Sequence, residues 1–156
     1  MPDFDSLMRQ AITLAEEAAA IGEVPIGCVI VHEPTGEIIG RGHNLRHTRH
    51  DPTAHAEIVA IREAGHRLNH WRLLDCTLVV TLEPCAMCAG AIVNARIPRL
   101  VYGCDDPKAG AVRTLYTICE DPRLNHRLEV IPNILSDDCA RLLRDFFKAR
   151  RAEGRG

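Results

Sequence analysis

Four residues of this 156-residue chain have the types and spacing to do chemistry together. They are His55 and Glu57 in His55-Ala56-Glu57, and Cys85 and Cys88 in Pro84-Cys85-Ala86-Met87-Cys88. One imidazole and two thiolates suit zinc, and three protein ligands leave the fourth tetrahedral position to water. A structural zinc site normally closes with four protein ligands, so an open position marks a catalytic one. Glu57 complements that arrangement: a carboxylate beside the metal accepts a proton from water the metal has acidified and delivers it to the substrate. That division of labour is hydrolytic. The same residues carry other readings. Cys-x-x-Cys alone also suits a redox site, which gives His55 and Glu57 no role. A closed structural zinc would draw its fourth ligand from His50 or Cys104. A zinc-stabilised binding module without catalysis would need no carboxylate at position 57.

Both motifs fall where helices are expected to start. There, free backbone N–H groups and the positive end of the dipole favour the thiolate form that a metal needs. Mid-helix, residues two apart point about 200° from each other, so His55 and Glu57 face one water only if the chain is still entering the helix. Around them, apolar residues at three- and four-residue spacings predict a helix over 4–21 with Asp3 or Asp5 as cap. Runs at 25–31 and 38–39 flank turn residues and predict a β-hairpin, and the polar, His- and Arg-rich stretch 45–53 reads as a surface loop. A helix from a Thr53 cap to about Gly65, a buried strand at 76–82 and a helix opened by Pro84 and running to Ala95 follow. Then come a strand at 100–103, an irregular segment at 105–110, a weak helix at 112–119 and a strand at 128–131. A last helix runs from a Ser136 cap to about Arg151, with Cys139, Leu142, Leu143, Phe146 and Phe147 on its buried side. This alternation predicts a three-layer α/β/α sandwich.

At 46% hydrophobic and 26% charged, 156 residues fit one domain over 1–156, with 152–156 as a flexible tail. No segment approaches the roughly 20 apolar residues of a membrane span, and no export signal is visible, so a cytoplasmic location is expected. Seven cysteines, an odd number, argue against a disulfide framework. Cys28, Cys76, Cys104, Cys119 and Cys139 stand alone and read as small buried hydrophobes. The net charge of −2 gives no global attraction to nucleic acid, so such binding would need a local patch.

The combination of His-x-Glu with Pro-Cys-x-x-Cys resembles the zinc nucleobase deaminases of the cytidine deaminase-like superfamily. The chain resembles most closely the bacterial tRNA adenosine deaminases. That resemblance extends to Gly22-Glu23-Val24-Pro25-Ile26-Gly27, to 49–58, to Thr81-Leu82-Glu83-Pro84-Cys85, to Asn125-His126-Arg127 and to Asp145-Phe146-Phe147. It implies the cytidine deaminase-like fold with a central mixed five-stranded sheet, and Zn2+ held by His55, Cys85 and Cys88. It implies that hydroxide generated on the zinc attacks C6 of the wobble adenosine in a tRNA anticodon loop, with Glu57 as proton shuttle, giving inosine. Asn44 would then hydrogen-bond the base, and the backbone near Ala56 and Pro84 would frame the pocket. Asp106 and Lys108 would meet the RNA backbone, with Phe147, Arg150 and Arg151 on the basic last helix. A homodimer whose two subunits shape the RNA groove is implied as well. A histidine ligand sets the chain apart from free cytidine deaminases, but guanine and deoxycytidylate deaminases share it and stay open as alternatives. The charge distribution supplies the patch: 1–40 holds seven acidic residues against Arg9, whereas 141–156 holds six basic residues against Asp145 and Glu153. A basic helical end can contact phosphates, although a solvated surface helix has the same composition.

Overall fold

The computed structural model describes residues 2–154. Helix α1 (Phe4–Ala20) starts at Asp3, whose carboxylate accepts the Ser6 N–H at 3.2 Å, and buries Leu7, Met8, Ala11, Ala15 and Ala18 along one stripe. Gly22 ends it in the left-handed region at φ 83°, where a side chain would be strained. Strands β1 (Gly27–His32) and β2 (Glu37–His43) form the expected hairpin. Helices α2 (Arg46–Arg49) and α3 (Ala56–Leu68) precede β3 (Cys76–Leu82), α4 (Ala86–Asn94) and β4 (Arg99–Cys104). A 3-10 turn at Ile118–Glu120, strand β5 (Glu129–Ile131) and helix α5 (Ser136–Ala152) complete the chain.

The sheet order is β2-β1-β3-β4-β5, antiparallel up to β3 and parallel beyond it. Alternation along the strands sorts the core into two layers. Cys28, Ile30, Leu78, Val80, Leu100 and Tyr102 pack with Ala56, Ala60 and Ala64 of α3 and Ala89, Ile92 and Val93 of α4. Val29, Val31, Val79 and Val101 point the other way, onto Leu7, Met8 and Ala11 of α1 and Cys139 of α5. The three-layer α/β/α sandwich around a mixed five-stranded sheet is thus present. The five cysteines read as packing residues are all buried.

Several local expectations are corrected. β2 runs seven residues rather than two, because Gly40 and Gly42, which look like loop residues, lie where α3 presses on the strand. A Cβ on either would sit 2.4 Å from an α3 carbonyl oxygen. Part of the stretch read as loop is the single turn α2. Thr53 does not cap α3, since Asp51 accepts both its N–H (2.8 Å) and its hydroxyl (2.7 Å); extended His55 holds the N-cap position. That helix also passes Gly65, ending where Asn69 adopts φ 53°. Cys85, not Pro84, precedes the first helical residue of α4. α5 begins without a side-chain cap after Leu135, with Asp137 and Asp138 in its first turn facing the dipole. Phe147 is 42% exposed rather than buried. Ala152 is still helical, so a tail from 152 is not seen; residues 155–156 lie outside the described residues.

Candidate metal and acid/base site

The two ligand motifs meet because each ends a stretch that the sheet positions. β3 delivers Pro84 and Cys85 at its carboxyl end, the usual location of ligand sites in open α/β sheets. β2 leads through α2 to His55, and the Leu45 N–H donates to the Ala54 carbonyl at 3.0 Å, closing that loop so that Asn44 returns beside His55. The His55 Nδ1 and the Sγ atoms of Cys85 and Cys88 all lie within 4.8 Å of one another. Nδ1 stands 3.6 Å from Cys85 Sγ and 3.5 Å from Cys88 Sγ. Zinc bonds of about 2.3 Å to sulfur and about 2.05 Å to nitrogen, set at the tetrahedral angle, require an N···S separation of about 3.6 Å. The donor set and its spacing therefore fit zinc. Neither His50 nor Cys104 joins the cluster among the described residues.

His55 is extended (φ −74°, ψ 157°) at the N-cap and Glu57 is the second helical residue, the helix-entry geometry that lets side chains two apart converge. Glu57 is buried, and its carboxyl interacts with Cys88 in the field of His55. Burial pushes that carboxyl up to about 7, with the backbone and His55 opposing. The hydrogen bond with Cys88, opposed by burial and aided by His55, pulls the Cys85 thiol down to about 3. The same bond, together with burial, pushes Cys88 up. His55 is raised chiefly by its bond with Cys85. Two cysteine sulfurs and an imidazole nitrogen in contact form a site that exchanges protons for a cation.

The other singled-out residues are distributed unevenly. Asn44 is buried; its Oδ1 accepts the Arg46 N–H at 3.2 Å, while its side-chain NH2 has no partner among the described residues. Ala56 and Pro84 are buried beside the ligands. Asp106 turns its Oδ1 inward, accepting the N–H groups of Lys108 (3.0 Å) and Ala109 (3.2 Å), which leaves exposed Lys108 as the outward charge of that loop. Phe147, Arg150 and Arg151 sit at the end of α5, in the other helical layer, and share no hydrogen bond with the site among the described residues. Arg150 lies over the Phe146 ring at 5.2 Å, with its Nε buried and without a hydrogen-bond partner among the described residues.

Two residues with no role in the sequence reading hold the loops on either side of the site. Glu23 is fully buried and accepts the N–H groups of His47 (3.2 Å) and Thr48 (2.7 Å) and the Thr48 hydroxyl (2.7 Å), fixing α2. Burial raises its carboxyl, but the bonds from Thr48 and His47 outweigh it and hold the group below its ordinary 4.5. Glu83 does the same for 106–114, accepting from the N–H groups of Asp106, Val112, Arg113 and Thr114 and from the Thr114 hydroxyl. Where a helix over 112–119 is expected the chain instead turns: the Leu115 and Ile118 N–H groups bond back to the Gly110 and Ala111 carbonyls, and only the 3-10 turn at Ile118–Glu120 is helical. The available signal was an acidic residue set against apolar runs, at Gly22-Glu23-Val24 and Leu82-Glu83-Pro84.

Residues 1–104 match the family of the cytidine and deoxycytidylate deaminase zinc-binding region. The chain is 47% identical to a tRNA-specific adenosine deaminase of Haemophilus influenzae over 97% of its own length and 87% of that protein's. It is 50% identical to one from Streptococcus pyogenes serotype M1 over 92% and 83% of the two chains. A solved structure from work on A-to-I editing by tRNA:A34 deaminases at the wobble position of transfer RNA superposes with a TM-score of 0.84 at 42% identity. It covers 88% of this chain and 99% of that one. The chain belongs to the tRNA-specific adenosine deaminases, within the cytidine and deoxycytidylate deaminase zinc-binding family.

Proposed function

We propose that this protein hydrolyses the 6-amino group of the wobble adenosine in a tRNA anticodon loop, giving inosine and ammonia. The observation that carries the reading is the convergence of three zinc-type ligand atoms on a buried carboxylate at the start of α3. His55, Cys85 and Cys88 would hold the zinc, which supplies Lewis acidity and makes water acidic enough to act as nucleophile near neutral pH. Glu57 takes the proton of that water, returns one to the adenine ring and passes one to the departing ammonia. A carboxyl raised toward 7 is matched to receiving and releasing protons at neutral pH. The free NH2 of Asn44 donates to the flipped base, while Ala56 and Pro84 exclude water from its edge. Lys108 and the end of α5 with Phe147, Arg150 and Arg151 meet the RNA, and Asp106 supports the Lys108 turn. Relatives aligned over nearly the whole chain favour this substrate over free guanine or deoxycytidylate.

The test is incubation of the zinc-loaded protein with an arginine tRNA bearing a wobble adenosine, followed by nucleoside analysis. Inosine at the wobble position is expected; its absence, with ammonia released from free guanine instead, overturns the tRNA reading. A homodimer is part of the proposal: Met87 on α4 and Leu115 and Tyr116 in the segment between β4 and the 3-10 turn are 36%, 53% and 60% exposed. Light scattering should give twice the 17.3 kDa chain mass. Among the described residues no helix is long and apolar enough to cross a membrane; a cytoplasmic location belongs to the proposal and is supported by the proposed tRNA substrate.

A further inference from the structure

The segment 105–114 hangs on one side chain. Glu83 is 2% exposed, and among the described residues all five hydrogen bonds that its carboxylate accepts come from that segment. Oε1 accepts the Asp106 N–H at 3.0 Å and the Thr114 hydroxyl; Oε2 accepts the N–H groups of Val112, Arg113 and Thr114 at 3.1, 2.9 and 3.0 Å. Gly110 lies flat against the same carboxylate, where a Cβ would come 2.4 Å from Oε1. The segment then returns to the site: Gly110 pairs with Cys85 in an isolated bridge, and the Ala111 N–H donates to the Pro84 carbonyl at 2.9 Å. Of its two cations, Arg113 is engaged by Asp105 at 3.0 and 2.9 Å, while the Lys108 ammonium has no partner among the described residues. The proposed proton chemistry leaves Glu83 unused, yet its carboxylate determines where Lys108 stands.

We propose that Glu83 is a positioning residue for RNA binding, fixing 105–114 so that Lys108 meets the phosphate backbone of the anticodon stem-loop beside the His55, Cys85 and Cys88 site. This rests on the tRNA reading, and its test has arms that do not need turnover. Glu83→Gln keeps the volume but replaces one acceptor with a donor. Turned either way, the amide faces at least one backbone N–H with an NH2: that of Asp106, or those of Val112, Arg113 and Thr114.

Hydrogen exchange of the zinc-loaded variant should be at least about tenfold faster over 106–114 and unchanged over β3 and α3. Its Kd for a fluorescein-labelled anticodon stem-loop should rise about tenfold, and KM for inosine formation should rise in step while kcat changes less than about threefold. Lys108→Ala should reproduce the Kd rise with exchange unchanged. Val79→Ala, which loosens the opposite face of the sheet, should alter neither Kd nor KM. If Glu83→Gln cannot be isolated folded, Thr114→Val removes the hydroxyl bond alone and should show a smaller rise in both exchange and Kd. Wild-type Kd in Lys108→Ala, faster exchange spread over the whole chain, or loss of zinc in Glu83→Gln overturns the assignment. Absence of inosine from the wild-type protein would overturn the deamination reading while the exchange and Kd arms still decide the role of Glu83.

Discussion

Gly42→Ala should lower catalysis about 100-fold at a stability cost no larger than that of an ordinary core truncation. Gly42 pairs with Cys28 in the hairpin, and α3 crosses directly over it. A Cβ there would lie 2.4 Å from the Ala56 carbonyl oxygen, 2.9 Å from the Ala60 nitrogen and 2.9 Å from the Val59 Cβ. Ordinary van der Waals separation is about 3.5 Å, so the first turn of α3 must retreat by roughly 1 Å. The backbone oxygens cannot swing aside as a side-chain tip would. Overpacking of this kind costs about 1–3 kcal/mol of stability. Ala56 lies between His55 and Glu57, so the retreat moves the proposed ligand and the proposed proton shuttle together relative to Cys85 and Cys88. A displacement of about 1 Å in a positioned catalytic group lowers the rate about 100-fold, or about 2.7 kcal/mol in barrier. The matched control is Val79→Ala, whose lost methyls open a cavity against α1 and cost about 1–3 kcal/mol without touching α3. Both variants are assayed for inosine formation on an anticodon stem-loop at 25 °C, with folding checked by circular dichroism and zinc measured on the same samples. Zinc content separates a moved ligand from a moved shuttle. Equal kcat/KM in Gly42→Ala and Val79→Ala, within about threefold, refutes the argument that helix approach at Gly42 sets the site geometry.

Glu57→Gln should keep one zinc per chain and lower kcat about 10²- to 10⁴-fold, whereas His55→Ala should lose the metal; retained turnover in the first removes the shuttle role. Glu23→Gln should lower stability by about 1–3 kcal/mol at neutral pH, because an NH2 group then faces the amide of either His47 or Thr48. Glu23 has a depressed folded-state pKa, so its contribution is present above 4.5 and lost as pH falls through the lower folded value. The gap between wild type and Glu23→Gln in urea unfolding, followed through Trp71, should accordingly narrow below pH 4.5; a gap that widens on acidification contradicts this. Replacing Lys148, Arg150 and Arg151 by Ala should weaken stem-loop binding and flatten its salt dependence by about 2 to 3 in slope, with kcat retained; an unchanged slope means the end of α5 is a solvated surface.

The parts of this molecule legible in its sequence are those encoded locally. Apolar spacing along α1 and the run at 76–82 determine their own structure, and a ligand motif announces its chemistry wherever it sits. What was misread depends on contacts distant in sequence. β2 looks too short because Gly40 and Gly42 answer to α3, and the segment expected as a helix at 112–119 is a turn whose 112–114 amides meet Glu83, about thirty positions earlier. Thr53 has the composition of an N-cap, yet Asp51 engages its hydroxyl first, and the cap passes to His55.

Both failures lie beside the proposed site, and that placement has a physical cause. The ligands and Glu57 sit on helix starts backed by the sheet, where packing against Ala60, Ala89 and Ile92 leaves little room for variation. The flanking segments at 46–49 and 106–114 are tied down by the carboxylates of Glu23 and Glu83, and Ala111 and Val112 of the second also pack into the core. A carboxylate accepting several amides fixes a loop's backbone while leaving its outward side chains unconstrained. Residues such as Lys108 or Arg49 can therefore change without disturbing the acid/base geometry. Under the proposed function, reaction type follows from the helix starts, and contacts that distinguish a base within RNA from a free base would come from what the two tethered loops and the end of α5 display.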